Sequence, residues 1–157
     1  MSASTQSAST QSVLLQQRWM AALAHAGGGL LEDGWAALNP KPMYRLLRPV
    51  EIGMTLLRGR IGGTGQAFNF GEATVTRAAV ELQSGERGFA YLLGRRPREA
   101  ELAAVFHALL QVPARRAAIE ERLVGPAESA RRAAAACERA AAAATRVDFS
   151  TLVRGDG

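Results

Sequence analysis

The chain has 157 residues, of which 48% are hydrophobic and 21% charged, a composition typical of a single globular domain. Its one cysteine, Cys137, excludes an internal disulfide, and no apolar run reaches the roughly 18 residues that a membrane-spanning helix needs. Met1–Ser12 has no basic residue and no apolar core, which excludes a signal peptide, so we expect a cytoplasmic protein without membrane contact.

The net charge of +5 comes almost entirely from arginine, because Lys41 is the only lysine among the 19 basic residues. A guanidinium group suits phosphate, carboxylate and interface pairing better than an ammonium group does. A GC-rich genome explains the same bias equally well, so the charge alone names no partner.

The N-terminal part divides into a tail and two helices. A Ser/Thr/Gln repeat without large apolar side chains predicts a disordered tail over residues 1–12, followed by one domain over residues 13–157. Apolar residues at helical spacing then predict a helix that Gly27–Gly29 stop, and a short second helix that ends at Asn39-Pro40. The stripe of the first helix consists of Leu15, Trp19, Ala22, Leu23 and Ala26.

The middle of the chain has the alternation of strands. Val50–Ile61 alternates apolar and polar residues, and a short extended piece at Met43–Leu47 precedes it. Ala73–Leu82 and Gly88–Leu93 predict two more strands, joined by a hairpin loop over residues 83–87. We therefore expect an antiparallel sheet of three or four strands. Its strands carry apolar residues on both faces, so one face can take the helices and the other a partner.

The C-terminal part is predicted to be helical, which makes the fold class α+β. An amphipathic helix starts near Pro97, a shorter one at Pro113, and an alanine-rich one covers Ala127–Thr145. Alanine favours helix but buries little area per residue. We expect this last helix to pack closely against the domain or a partner subunit, with an exposed spacer as the alternative.

A glycine-rich loop is the first candidate for chemistry. The backbone amides of Gly62, Gly63, Thr64 and Gly65 could form an anion-binding nest. A P-loop would continue with lysine, whereas Gln66 follows, and a dinucleotide loop would have glycine where Phe68 stands. We favour a turn between two strands and keep phosphate binding as the alternative.

Arg77 is the second candidate, because it lies within an otherwise apolar strand. It could hold a phosphate or pair across an interface, although an arginine stem on the sheet with its head in solvent is the commoner arrangement. Glu51 beside Arg48 is interpreted as a surface ion pair. His107 is interpreted as a satisfied or half-exposed side chain. Cys137 is interpreted as a small packed side chain. We predict no metal site and no catalytic residue, because neither ligand spacing nor a nucleophile motif is present.

Several short stretches in fixed order resemble the PhnG family, the G subunit of the bacterial carbon–phosphorus lyase core complex. The resemblance runs from about Arg18 to Asp156 and leaves out the tail. Its elements are Arg18-Trp19-Met20, Leu23-Ala24, Arg48, Glu51, Gly53, Gly62-Gly63-Thr64-Gly65, Phe68, Ala73-Thr74, Thr76–Val80, Leu93-Gly94-Arg95, Arg146–Phe149 and Val153–Asp156.

This resemblance implies a subunit that assembles with the H, I and J subunits into a two-fold hetero-oligomer and acts with the L protein. In the family, G, H, I and L transfer the ribose triphosphate of ATP to a phosphonate and release adenine. The J subunit then cleaves the carbon–phosphorus bond with S-adenosylmethionine and an iron–sulfur cluster. The single cysteine here cannot hold such a cluster, so we expect no cofactor on this chain and no catalysis by it alone.

The C-terminal segment 146–157, with apolar residues at Val147, Phe149, Leu152 and Val153, is predicted to dock on a neighbouring subunit. Its candidate interface residues are Arg146, Asp148, Phe149, Val153 and Arg154. Two alternatives to a structural subunit remain open. In the first, Arg77 and the glycine loop contribute directly to a shared phosphate pocket. In the second, ranked lower because the charges alternate in sign, the chain binds nucleic acid.

Overall fold

The computed structural model describes residues 2–60 and 65–145. The elements are α1 (Ser2–His25), α2 (Gly28–Ala36), β1 (Tyr44–Arg60), β2 (Ala67–Leu82), β3 (Arg87–Leu93), α3 (Pro97–Leu109), α4 (Pro113–Ile119), a π-helical turn (Glu120–Val124) and α5 (Gly125–Ala144). The described strands form one antiparallel sheet in the order β1-β2-β3. The predicted α+β class, with N-terminal and C-terminal helices around a small antiparallel sheet, is confirmed.

Helix α1 attaches to the core through the predicted apolar stripe. Trp19, Leu23 and Ala26 are buried, and Leu15 packs against them at the edge of the core. The indole Nε1–H of Trp19 donates a hydrogen bond of 2.7 Å to Glu120 Oε1. The large ring is therefore buried with its one polar group satisfied.

The same helix begins at Ser2, so the backbone of the Ser/Thr/Gln tract is helical where the composition predicts disorder. Helix growth is cooperative: once the segment around Trp19 is packed, each preceding residue adds a backbone hydrogen bond without a new nucleation step. Gln11, Ser12 and Val13 are exposed, so burial does not stabilise this end. The tract thus extends the packed helix.

Helix α2 is the predicted short helix, and it starts within the glycine run. Gly28 and Gly29 are its first two residues, and Gly27 is its N-cap. Leu31 of this helix is fully buried. A cis Asn39–Pro40 peptide bond lies beyond its end, where the sequence predicts the helix to stop.

Strand β1 is continuous where the sequence predicts two pieces. Its pairing with β2 shifts register between Leu46 and Arg48 and again between Arg48 and Glu51, on either side of Pro49. A proline has no N–H to donate and is tolerated at such irregularities of an edge strand. The chain therefore stays extended through a residue that interrupts the sequence pattern.

Strand β2 starts at Ala67, earlier than the predicted Ala73, and runs past the end of β3. Because β3 pairs only with Val75–Glu81, the first part of β2 pairs with β1 alone. Met54–Arg60 of β1 and Ala67–Thr74 of β2 form a two-stranded extension, called the arm below. At the opposite end the predicted hairpin loop is confirmed, with Gly85 at a φ of 101°.

Helix α3 lies in the middle of the core. Every residue from Leu102 to Leu109 is buried, because the sheet lies on one side of the helix and α1 and α2 contact it elsewhere. The closest approach is at Gly88 of β3. A Cβ atom there would lie 1.8 Å from the carbonyl oxygen of Ala104 and 2.7 Å from the amide nitrogen of Ala108.

His107 joins the same helix to β3. Its Nδ1 accepts a hydrogen bond of 3.0 Å from the backbone N–H of Phe89, which leaves the ring proton on Nε2. Nε2 is buried and has no hydrogen-bond partner among the described residues. Burial lowers the pKa of His107, so the neutral ring is favoured. His107 is thus buried and not half-exposed, and one of its two ring nitrogens is satisfied.

Replacing Gly88 should separate the helix from the sheet. We expect Gly88→Ala to lower the free energy of unfolding by roughly 3 kcal/mol or more, because the atoms that it would overlap belong to the backbone of α3. Gly53→Ala in β1 is the matched control: its Cβ would meet no atom within 4 Å, and a change within about 0.5 kcal/mol is expected. Urea unfolding followed by circular dichroism measures both. Equal stability of the two variants would contradict this packing.

Candidate functional site

The glycine loop joins β1 to β2 at the tip of the arm. Gly62, Gly63 and Thr64 lie outside the described residues, and the carbonyl of Gly65 accepts a hydrogen bond of 3.0 Å from Arg60 Nη1. The last described pair of the ladder is Arg60 with Ala67, so the loop closes an antiparallel hairpin, as the turn interpretation predicts. Phosphate-binding glycine loops of nucleotide enzymes lead into a helix N-terminus, whereas a strand follows here. Phosphate binding by this loop stays a prediction.

Arg77 lies on the face of the sheet that is turned away from α3. Its Nε is 2.9 Å from Glu51 Oε2, and Arg48 Nη1 is 3.7 Å from the same oxygen. Glu51 and Arg77 are also register partners across β1 and β2. The predicted pairing of Glu51 with Arg48 is confirmed, but Arg77 is the closer partner. One carboxylate serves two guanidinium groups, which leaves this cluster with a net positive charge.

The two parts of the predicted phosphate site do not meet within the chain. Ala67, which follows the glycine loop closely, is about 33 Å from Arg77 along β2 at the usual rise of an extended strand. A phosphate site at Arg77 would therefore be built from its neighbours on the sheet. A site at Gly65 would need other groups.

The sheet face around Arg77, called the open face below, carries large apolar side chains. Alternation along β3 separates the buried Ala90 and Leu92 from Phe89, Tyr91 and Leu93, which are 47%, 47% and 65% exposed. The prediction that the strands carry apolar residues on both faces is confirmed. The open face is defined by Arg48, Glu51, Arg77, Phe89, Tyr91 and Leu93.

A shallow cavity of 380 Å³ lies on the open face. The side chains of Arg48, Arg77, Phe89 and Tyr91 line it together with Met20 of α1, and Ala78, Ala79 and Ala90 complete its wall. Aromatic rings can contact the apolar part of a ligand, and neighbouring guanidinium groups can pair with its negative charge. The cavity therefore suits a side chain of a partner protein or a small anion with an apolar part.

The arm is a second uncovered surface. Met54, Leu56 and Phe70 are 71%, 58% and 59% exposed, and the ring centroid of Phe68 lies 6.2 Å from that of Phe70. A two-stranded ribbon is only marginally stable in water by itself. Apolar residues at this density in such a ribbon indicate a contact surface.

Helix α5 is largely uncovered as well. Ala127 is its only buried residue, and the Glu128 carboxylate ties the first turn to α1 through Arg18, with Nε 2.7 Å from Oε1. Packing of this helix on the domain is thus limited to its N-terminal part, beside α1 and the π-helical turn, and packing on a partner or an exposed spacer remains for the rest. Cys137 is exposed because no described element covers this part of the helix, so its prediction as a packed side chain is wrong.

The predicted docking segment follows α5. Its candidate interface residues Arg146, Asp148, Phe149, Val153 and Arg154 lie outside the described residues. Docking through them stays a prediction. The open face and the arm are the contact surfaces that the structure does describe.

Other kinds of site find little support in residues 2–60 and 65–145. No three potential metal ligands stand together there, and none of the helices in these ranges is long and apolar enough to span a bilayer. Arginines of the sheet often pair with carboxylates, as Arg45 and Arg87 both do with Glu81. A group of arginines lines a cleft beside α5 together with Glu128. It consists of Arg18, Arg131, Arg132 and Arg139.

Two of the exposed surfaces contain residues whose positions are not evident from the sequence: Met20 beside the open face, and the phenylalanines of the arm. Met20 lies outside the apolar stripe of α1, and its position beside the sheet depends on tertiary packing. Asn69 separates Phe68 from Phe70, and Gly71 follows, so the pattern is typical of a loop. Their spacing of two residues was the available signal for an extended strand.

An α+β chain with an uncovered, partly aromatic sheet face has the features of a subunit of a larger assembly. The family model described as "Phosphonate metabolism protein PhnG" matches residues 16–155. Over 149 residues the chain is 44% identical to the alpha-D-ribose 1-methylphosphonate 5-triphosphate synthase subunit PhnG of Rhizobium meliloti (strain 1021), with 92% of each protein covered. The chain belongs to the PhnG family, which confirms the resemblance found in its sequence.

Proposed function

We propose that this chain is the G subunit of α-D-ribose 1-methylphosphonate 5-triphosphate synthase and works in phosphonate breakdown within the carbon–phosphorus lyase core complex. The observation that carries the proposal is the 44% identity to the Rhizobium meliloti subunit over 92% of both chains. The family match over residues 16–155 includes every strand of the open face and the whole arm. The surfaces that could meet other subunits therefore lie within the matched region.

In this proposal the chain assembles with the H, I and J subunits and acts with the L protein. ATP is the substrate that supplies the ribose triphosphate, a phosphonate receives it, and adenine leaves. Iron–sulfur and S-adenosylmethionine chemistry is assigned to the J subunit, because Cys137 alone cannot supply the several thiolates of a cluster. The chain is assigned no cofactor and no catalytic residue of its own.

Its contribution is to bring the other subunits together through the open face. Phe89, Tyr91 and Leu93 expose apolar area to water, and covering that area favours association. Aromatic residues and arginine are the types enriched at protein interfaces, and both occur here. Arg77 and Arg48 lie beside this apolar strip, where both contact the carboxylate of Glu51.

Placing a charge in the open face should weaken assembly. We expect Leu93→Glu to lower recovery of the H, I and J subunits at least about tenfold, because a carboxylate would be buried without a partner. Leu14→Glu is the matched control, since Leu14 is similarly exposed but lies on α1, and it should assemble like the unmodified chain. Affinity capture from co-expressing cells followed by native mass spectrometry reads out both variants.

The unmodified chain tests the proposed function in the same experiment. Recovery of a stable complex that contains all four subunits supports it. A monomer that captures none of the other three would overturn it. Equal recovery with Leu93→Glu and Leu14→Glu would leave the subunit assignment standing and remove the open face from the interface.

A second function is favoured by the positive charge at the cavity, where Arg48 and Arg77 share one carboxylate. They could hold a phosphate group of a substrate bound between subunits. The main proposal instead treats the Arg77–Glu51 contact as a partly exposed ion pair worth about 0–1 kcal/mol.

Arg77→Ala separates the two functions. We expect assembly to be retained and turnover of the reconstituted complex to stay within about twofold, as an exposed ion pair predicts. Arg45→Ala is the control, because Arg45 also pairs with a glutamate but does not line the cavity. A loss of turnover of about a hundredfold with intact assembly, absent in the control, would favour the phosphate-binding function.

A further inference from the structure

Strand β3 ends at a turn that is held by several hydrogen bonds. Gly94 follows its last residue with a φ of 86°, a conformation that L side chains rarely adopt. The hydroxyl of the buried Thr76 donates a hydrogen bond of 2.6 Å to the carbonyl of Gly94. It also accepts a hydrogen bond of 3.0 Å from the backbone N–H of Arg96. The chain therefore leaves the sheet at a defined point, and β2 continues without β3 beside it.

The continuing part of β2 has a free edge, called the notch below and defined by Ala67–Ala73. The carbonyl of Thr74 accepts a hydrogen bond of 2.7 Å from the N–H of Gly94, so the backbone groups of Thr74 point to the β3 side. Backbone groups alternate sides along a strand, which places the N–H and C=O of Glu72 on that same side. Beyond Gly94 no described strand pairs with this side of β2.

The notch has one irregularity, a register shift of its pairing with β1 between Leu57 and Arg58, but it lacks the other features that usually protect a sheet edge. Natural edges are blocked by proline, by basic side chains or by a covering element. The outer edge of β1 carries Pro49 and four arginines, and α1 lies against β3. The notch has neither proline nor a basic residue, and Glu72 is its only charge. Among the described edges it is therefore the one open to a further strand.

Exposed apolar side chains accompany the free backbone groups. Phe68 and Phe70 lie in the notch itself, and Met54 and Leu56 lie on the paired segment of β1. Leu93, the most exposed apolar residue of the open face, ends β3 at the border of the notch. A strand in the notch would extend the sheet in line with β3. Met54 and Leu56 pair with Thr74 and Glu72, so they lie on the sheet face of the buried Thr76, opposite the open face.

We infer that the notch accepts an extended segment of another subunit, which pairs with β2 through main-chain hydrogen bonds. The unpaired N–H and C=O groups require a polypeptide in strand conformation, and the phenylalanine rings require apolar side chains at alternate positions of it. This inference rests on the proposed function, because the incoming strand belongs to a subunit of the synthase. Pairing would also convert the marginal two-stranded arm into a three-stranded sheet.

Glu72→Pro tests the pairing, with Glu72→Ala as its matched control. Both substitutions remove the carboxylate, but only proline removes the N–H that points into the notch, and its ring blocks the approach of a strand. We expect capture of the H, I and J subunits to fall at least about tenfold with Glu72→Pro and to stay near the unmodified level with Glu72→Ala.

A second measurement does not depend on how well the proline variant folds. In the unmodified complex, amide hydrogen exchange of residues 67–74 should slow at least about tenfold relative to the free chain. Equal capture by the two variants, or unchanged exchange over these residues in the complex, would overturn the inference while leaving the proposed function intact. Failure of the unmodified chain to capture any subunit would overturn both. A dimer of the free chain that only Glu72→Pro abolishes would assign the notch to a second copy and so overturn it as well.

Discussion

Helix α3 packs against β3 so closely that one methyl group at Gly88 would overlap the carbonyl of Ala104. The same contact brings the N–H of Phe89 to His107, and it buries α3 from Leu102 to Leu109. Because α3 fills one face of the sheet, α2 meets the core largely through that helix, whereas α1 packs against both α3 and β3. The opposite face keeps its alternating apolar residues exposed, and Phe89 and Tyr91 have no covering helix layer.

Several surfaces beyond α3 are left uncovered by residues 2–60 and 65–145. The open face, the arm and helix α5 all expose groups that a self-contained domain would bury or would not have. Membership in the PhnG family explains this arrangement, since a named relative is a subunit of a synthase. Helix α3 thus holds the folded core together, and the uncovered strands are the surfaces through which we propose that the chain joins other subunits.

Local patterns in the sequence were enough to predict the elements whose periodicity is strong. The stripe around Trp19, the hairpin loop with Gly85 and the buried helix α3 follow from helical spacing, alternation and glycine. The continuity of β1 through Pro49 and the early start of β2 could not be predicted in this way, because they depend on pairing between strands. Exposure of Cys137 was also missed, since alanine spacing does not show whether another element covers a helix.

The candidate site was likewise predictable from the sequence only in part. Arg77 stands out in the sequence as a charge within a strand, but its contact with Glu51 requires the register of β1 on β2. Its separation from the glycine loop follows from the length of β2, which the sequence underestimates. The family resemblance supplied the reaction and the partners, whereas physical reasoning from the residues reached an interface and stopped there.

Burial of the open face in the assembled enzyme is the central claim, and hydroxyl-radical footprinting tests it most directly. The side chains of Phe89, Tyr91 and Leu93 are exposed in the free chain and should be modified there. In the complex with the H, I and J subunits their modification should fall at least about fivefold, while that of Leu14 stays unchanged, because a covering partner excludes water and the radical with it. Equal modification of the three residues in the free and the assembled chain would show that the open face is not an interface and would contradict the claim.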